Sequence, residues 1–183
     1  MKKIIYPLAL CIAVLSSSNF YGRSVLQHEV LLKKIKTKTN KTINIYQTKN
    51  NKTGMYTVRI ATSGFLKKSS TFIKDTDPVK DVLVGDLDKN GFDEIYIVTQ
   101  GVGSGSYESV FGFTSVKDQQ LAPITIPALT MKGYMGHDNF QLSGGKLKRT
   151  FPIYKDKDSN CCPTGGKNTI MYTLIGTKLV LSK

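Results

Sequence analysis

Short apolar runs in alternation, each stopped after a few residues by Gly, Asn, Asp or Pro, recur along this chain to its C-terminus. Thr42-Ile43-Asn44-Ile45-Tyr46 and Met55-Tyr56-Thr57-Val58-Arg59-Ile60 alternate clearly, and the turn-rich Lys49-Asn50-Asn51-Lys52-Thr53-Gly54 separates them. Further runs occupy residues 25–32, 79–84, 94–99, 107–113, 122–126, 140–142, 146–151, 169–174 and 178–181. A period of two sends successive side chains to opposite faces of a strand, so runs of this length and punctuation specify an all-β sandwich or barrel. No segment sustains a helical period with caps, so helix is expected to be minor. The expected fold is an all-β, antiparallel β-sandwich of roughly eight or more strands, with residues 19–183 forming one domain.

The N-terminus indicates the compartment. Met1-Lys2-Lys3 is basic, residues 4–15 are largely apolar, and Ser16-Ser17-Ser18 supplies small residues. This is the layout of a signal peptide over residues 1–18, which implies a periplasmic or secreted mature chain. Cys11 lies inside the apolar run rather than after it, which argues against lipidation. No second apolar run is long enough for a membrane span. The chain carries 26 Lys and Arg against 13 Asp and Glu, a net charge of +13. Such a balance speaks to partners rather than fold. For an exported protein it favours acidic proteins, anionic lipid head groups or cell-wall polymers over nucleic acid.

The densest basic stretch, Lys33-Lys34-Ile35-Lys36-Thr37-Lys38-Thr39-Asn40-Lys41, lacks interleaved aromatics. It reads as a solvated edge strand that lysines guard against edge-to-edge aggregation. Beyond Cys11, the cysteines are the adjacent pair Cys161-Cys162. Neighbours cannot staple distant segments and lack metal-type spacing. A vicinal disulfide and two small loop side chains are both open readings.

Two loops hold the residues with chemical potential. Asp86-Leu87-Asp88-Lys89-Asn90-Gly91-Phe92-Asp93-Glu94 has closely spaced oxygen ligands around a glycine, as calcium loops do. The twelfth position, where an EF-hand carries Glu, is Ile97. The other reading is an Asn-Gly hairpin joining two strands, with the aspartates satisfying turn amides. It is the one adopted here, with no metal and no cofactor assigned. Gly101-Val102-Gly103-Ser104-Gly105-Ser106-Tyr107 is glycine-dense and presents hydroxyls between two strand-like runs. The glycines resemble a nucleotide-binding loop, but Tyr107-Glu108-Ser109-Val110-Phe111 alternates like a strand, so no helix N-terminus follows to hold phosphate. Ser104 is not in a G-x-S-x-G elbow, and a Ser-His-Asp triad would rest on His137 and Asp138 lying near it by chance. The chain is therefore read as a binding protein rather than an enzyme.

Ser104-Gly105-Ser106-Tyr107 is similar to the S-G-x-Y motif of bacterial periplasmic lysozyme inhibitors, and its context resembles the inhibitors of invertebrate-type lysozyme. The resemblance extends to Asp86-Leu87-Asp88-Lys89-Asn90-Gly91-Phe92-Asp93-Glu94-Ile95-Tyr96-Ile97 and Gly133-Tyr134-Met135-Gly136-His137-Asp138. It continues through Lys148-Arg149-Thr150-Phe151-Pro152-Ile153-Tyr154 and Pro163-Thr164-Gly165-Gly166, so that it spans roughly residues 79–175. It implies a partner, lysozyme, whose active-site cleft receives Ser104 and Tyr107 so that their hydroxyls hydrogen-bond the catalytic carboxyls. Gly105 would permit the sharp turn, and Ser106 would face outward. A second binding loop is expected at Tyr134, His137 and Asp138, and Arg149 is expected to be an exposed strand residue. Exposed edge strands together with the resemblance also suggest a homodimer. The basic charge favours an invertebrate-type target over strongly basic animal lysozymes, because like charges repel at long range. The alternative function is a calcium-stabilised secreted β module for adhesion or cell-wall binding, built on the loop from Asp86 to Glu94.

Overall fold

A computed structural model describes residues 28–103 and 106–182. The proposed signal peptide, Ser104 and Gly105 lie outside the described residues. Among the described residues the chain is all-β, with twelve strands and no helix. The strands form three antiparallel four-stranded sheets. Strands β1 (Glu29–Lys36), β2 (Thr42–Lys49), β3 (Tyr56–Ser63) and β4 (Ser70–Thr76) form the first sheet in sequence order. The second sheet contains β5 (Val79–Gly85), β6 (Glu94–Gln100), β7 (Glu108–Ser115) and β8 (Leu121–Ile124). The third is β9 (Asn139–Ser143), β10 (Lys146–Pro152), β11 (Lys167–Ile175) and β12 (Lys178–Leu181).

The sandwich has two cores because the middle sheet is covered on both faces. Ile43, Ile45, Val58 and Ile60 of the first sheet pack with Val82, Ile95, Ile97 and Phe113 of the middle one. On the opposite face Tyr96, Val98 and Ile124 pack with Phe140, Leu147, Tyr172, Leu174 and Leu179 of the third sheet. The run Ile95-Tyr96-Ile97-Val98 explains this arrangement. Alternation with one polar face suits a strand that meets water on one side, whereas a continuous apolar run must bury both. These four side chains are essentially without solvent exposure.

Tyr96 stands opposite Gly112 on β7. A Cβ at position 112 would lie 3.1 Å from the Tyr96 ring and 3.0 Å from the Ile124 Cβ. The glycine thus makes room for one of the two buried tyrosines of the second core.

Strand β4 escapes the alternation pattern. Its Phe72 is exposed and its neighbour Ile73 packs against the first core, while Asp75 has a left-handed backbone next to a register shift in the pairing with β3. Strand β1 lies at the edge of the first sheet, as its lysines predict, and bulges between Leu31 and Lys33. Cys161 and Cys162 are joined as a vicinal disulfide in the exposed connection between β10 and β11. No helix among the described residues is long and apolar enough to cross a membrane.

Replacing Gly112 by Ala is expected to destabilise the fold by about 1–3 kcal/mol, because the added methyl must displace the Tyr96 ring or Ile124. Equilibrium denaturant unfolding measures this, and an unchanged midpoint would contradict the tight approach.

Candidate functional site

The glycine loop is the turn of the β6–β7 hairpin, carried by the most deeply buried strand of the molecule. The two strands pair without a register shift from Glu94–Thr114 to Gln100–Glu108. The Gly101 amide adds one more rung by donating to the Tyr107 carbonyl at 3.0 Å. Beyond that rung the loop closes on itself, with the amide and hydroxyl of Ser106 both donating to the Gly103 carbonyl, at 3.0 and 3.2 Å. Ser106 has φ +40°, whereas Gly101 and Gly103 are not left-handed. Of the described tip residues it is therefore the serine, not these glycines, that adopts the costly backbone. The Ser106 hydroxyl, expected to face outward, is engaged in a solvent-exposed bond within its own loop.

Tyr107 leaves the loop with half its surface exposed, and among the described residues its hydroxyl has no hydrogen-bond partner. Its ring meets the Tyr134 ring edge-on, with centroids 5.8 Å apart and planes at 79°. Tyr134 in turn meets Phe151 edge-on at 5.0 Å. The segment bearing Tyr134 also touches the loop through its backbone, because the His137 amide donates to the Ser106 carbonyl at 3.3 Å. The two loops that resemblance to lysozyme inhibitors singled out are thus neighbours in space.

Asp138 and Arg149 lie behind Tyr134 and are both buried, at 3% and 8% exposure. Arg149 Nε donates to Asp138 Oδ1 at 2.7 Å, and the Tyr134 hydroxyl donates to Asp138 Oδ2 at 2.6 Å. A second guanidinium nitrogen of Arg149 donates to the Tyr134 hydroxyl oxygen at 2.6 Å and closes the triangle. The guanidinium carbon lies 5.0, 5.2 and 5.8 Å from the ring centroids of Tyr134, Phe140 and Phe151. Arg149 is therefore a buried cation among aromatic faces, not the exposed strand residue its type suggests. The phase of β10 explains the burial, because Leu147, Arg149 and Phe151 share one face and their two apolar members belong to the interior. Burial alone would pull the guanidinium pKa down, but the Asp138 carboxylate outweighs it and holds the pKa above the usual value. Burial and the Asp138 carboxylate together push the Tyr134 phenol upward.

Glu108 is also buried, immediately after Tyr107, and pairs with the half-exposed Lys80. Its Oε2 has no partner among the described residues. Burial raises its carboxyl pKa, Lys80 opposes the rise and the Asp138 charge adds to it. The sequence reading passed over Glu108. Its only signal was a charged residue at the start of an apolar run. His137 stacks on Tyr154 at 6.3 Å and makes no bond to Asp138, whose oxygens serve Arg149 and Tyr134. The Tyr154 amide donates to the Gly133 carbonyl at 2.8 Å. Gly133 has φ +76°, and a Cβ there would fall 2.5 Å from the Tyr154 carbonyl oxygen, so the chain can approach this closely only as glycine.

The acidic loop sits at the opposite end of β6. One carboxylate oxygen from each of Asp86, Asp88 and Glu94 lies within 4.8 Å of the others. Protein groups already engage all three. Asp86 accepts from the Asn90 and Gly91 amides and from Lys38 Nζ, Asp88 accepts from Asn90, and Glu94 accepts from the Leu87 amide and the Thr114 hydroxyl. The Lys38 amide donates to Asp93 at 2.7 Å and clips the first sheet to this loop. A divalent cation would have to displace the Lys38 ammonium from Asp86 and free Glu94 from its two donors, so the donor set fits a self-satisfied turn better than a cation cage. Burial pushes the Glu94 carboxyl up to about 7, with Asp88 and Asp86 adding to the rise and its hydrogen-bond donors opposing it.

No protein-family model, curated protein or solved structure matches this chain.

Two outcomes follow from the buried charges. A folded-state pKa raised above the unfolded value means that the folded state binds the proton more tightly. The Glu94 contribution is thus fully present below about pH 4.5 and is lost as pH rises toward about 7, a change of about 3 kcal/mol. Glu94→Gln should flatten stability across that window and raise it at pH 8, as read from melting temperature against pH. Asp138→Ala should cost about 3–5 kcal/mol in denaturant unfolding, because it leaves the Arg149 guanidinium buried and unpaired.

Proposed function

We propose that this protein is exported after loss of residues 1–18 and inhibits a lysozyme, with an invertebrate-type enzyme favoured, by inserting the 104–107 loop into the active-site cleft. The observation that carries this reading is the setting of Tyr107. An exposed phenol stands at the tip of a hairpin whose strands are locked in a two-faced core, and it is braced from behind by an aromatic ring and a buried ion pair. A rigid scaffold that lifts one hydroxyl-bearing ring into solvent suits occupation of a partner's cleft, because little ordering remains to oppose binding. Resemblance to the S-G-x-Y inhibitors, carried by the motif and four further segments, supplies the class of partner.

Lysozyme cleaves its substrate with two carboxyl groups flanking the scissile bond. Two hydroxyl donors on one loop could engage both carboxyls at once. A hydrogen bond to a charged group contributes about 1.5–3 kcal/mol, so each donor matters on the scale of a tenfold or larger change in affinity. In this reading Tyr107 is one donor and Ser104 the other, with Gly105 shaping the turn between them. The role of Ser104 rests on the motif.

The calcium-stabilised module is the competing reading. Its support is the cluster of Asp86, Asp88 and Glu94, weakened by the lysine and backbone donors already bound there. Melting temperature with calcium and with chelator is expected to be the same, and a calcium-dependent rise would favour the module.

Purified mature protein should inhibit an invertebrate-type lysozyme in a cell-wall lysis assay. Ser104→Ala and Tyr107→Ala should each weaken inhibition by about tenfold or more, and the double variant further. A wild-type chain inactive against invertebrate-, chicken- and goose-type enzymes would end the proposal. Full potency in the double variant would remove the loop from the mechanism.

A further inference from the structure

We infer that Arg149 and Asp138 are positioning residues for the inhibitory phenol, acting on Tyr107 through Tyr134 rather than through contact with the partner. The inference rests on the inhibitor reading for its functional consequence, but its structural content stands apart from it.

Tyr107 is exposed, and the contact that fixes its ring is the edge-on packing against Tyr134 at 5.8 Å. Tyr134 cannot turn freely. Its ring is held edge-on by Phe151, and its hydroxyl lies between Asp138 Oδ2 and an Arg149 nitrogen, each 2.6 Å away. Asp138 and Arg149 are nearly inaccessible, which rules out substantial direct contact with a large partner unless the platform opens. Phe151, Asp138 and Arg149 thus converge on one ring, and that ring sets the direction of Tyr107. The His137 amide on the Ser106 carbonyl fixes the second side of the same loop, so the tip cannot slide along the platform.

The arrangement also explains why a costly ion pair occupies this end of the core. An apolar side chain at position 138 or 149 could pack behind Tyr134, but it would not hold the phenol oxygen at a fixed point. A guanidinium fork and a carboxylate meeting at that oxygen do so, because charge-assisted hydrogen bonds are both strong and directional. The mutual attraction and the three hydrogen bonds of the triangle offset the cost of burying two charges, and the result is a fixed direction at the tip.

A double-mutant cycle tests this directly. Asp138→Asn preserves shape and removes the charge, and Tyr134→Phe preserves both ring contacts and removes the hydroxyl. In the otherwise wild-type chain, each is expected to raise the inhibition constant for an invertebrate-type lysozyme, Asp138→Asn by about tenfold. In a Tyr107→Ala background the same changes should have no further effect, because the group they position is gone. A repeat of the same factor in that background would mean direct contact with the enzyme and would overturn the inference.

A second readout needs no lysozyme. Aromatic NMR signals of Tyr107 should move toward exposed, averaged positions in Asp138→Asn and in Arg149→Lys, while core methyl signals stay in place. Unmoved Tyr107 signals in a folded Asp138→Asn chain would also overturn the inference. Loss of the inhibitor reading would show differently, as a wild-type chain that inhibits nothing although its Tyr107 signals respond to both substitutions.

Discussion

The structure depends on the burial of β6 on both of its faces. Ile95 and Ile97 enter one core and Tyr96 and Val98 the other, so a single short strand ties all three sheets together. At about 25 cal/mol per Å² of apolar surface, four fully buried side chains of this size contribute several kcal/mol, comparable to the net stability of a small domain. Whatever is attached to the ends of this strand inherits its rigidity. One end carries the acidic loop with Glu94, and the other carries the glycine loop and Tyr107. The proposed function draws on that placement, since a loop on a frayed edge strand could not present one ring in a defined direction.

The polar groups follow the same logic. Glu94, Glu108, Asp138 and Arg149 are charged residues taken almost wholly out of water. Glu94 and Glu108 open β6 and β7, Asp138 directly precedes β9, and Arg149 lies in the middle of β10. Each is tied to a loop. Glu94 accepts from the Leu87 amide, Glu108 pairs with Lys80 directly after the hairpin tip, and the Asp138–Arg149 pair braces Tyr134. Buried charges of this kind add little net stability, but they fix directions that apolar contacts leave soft. The cores set where the loops are, and the charged groups set which way they point.

The large positive charge is concentrated differently. Lysines line the edge strand β1 and its turn, where they face water and discourage pairing with another chain. Two of these lysines also join layers: the Lys33 ammonium donates to the Val82 carbonyl of β5, and Lys38 has its amide on Asp93 and its ammonium on Asp86. The Lys38 contacts lie in the turn after β1. They anchor the first sheet to the end of the hairpin far from Tyr107.

The strand pattern alone determined the all-β class, most strand positions, the lysine-guarded edge and the aspartate-capped turn, because these depend on neighbours in sequence. Two-residue periodicity and turn chemistry are local, so eleven of the strands could be read from them and only β4, with Phe72 outside and Ile73 inside, could not. The third sheet was not legible, although the unbroken run Ile95-Tyr96-Ile97-Val98 already required two covered faces. Within the site, the motif picked out Tyr107 and the segment bearing Tyr134 and Asp138, but it could not say that these would meet, or that Asp138 would face inward. Arg149 was misjudged because its charge outweighed its phase between Leu147 and Phe151. Only tertiary structure decided its surroundings. The β9–β10 hairpin sets Arg149 opposite Phe140, with Asp138 one residue before β9, so the partners are near in sequence. What no local rule specifies is that this charged face turns into the core and meets Tyr134 there.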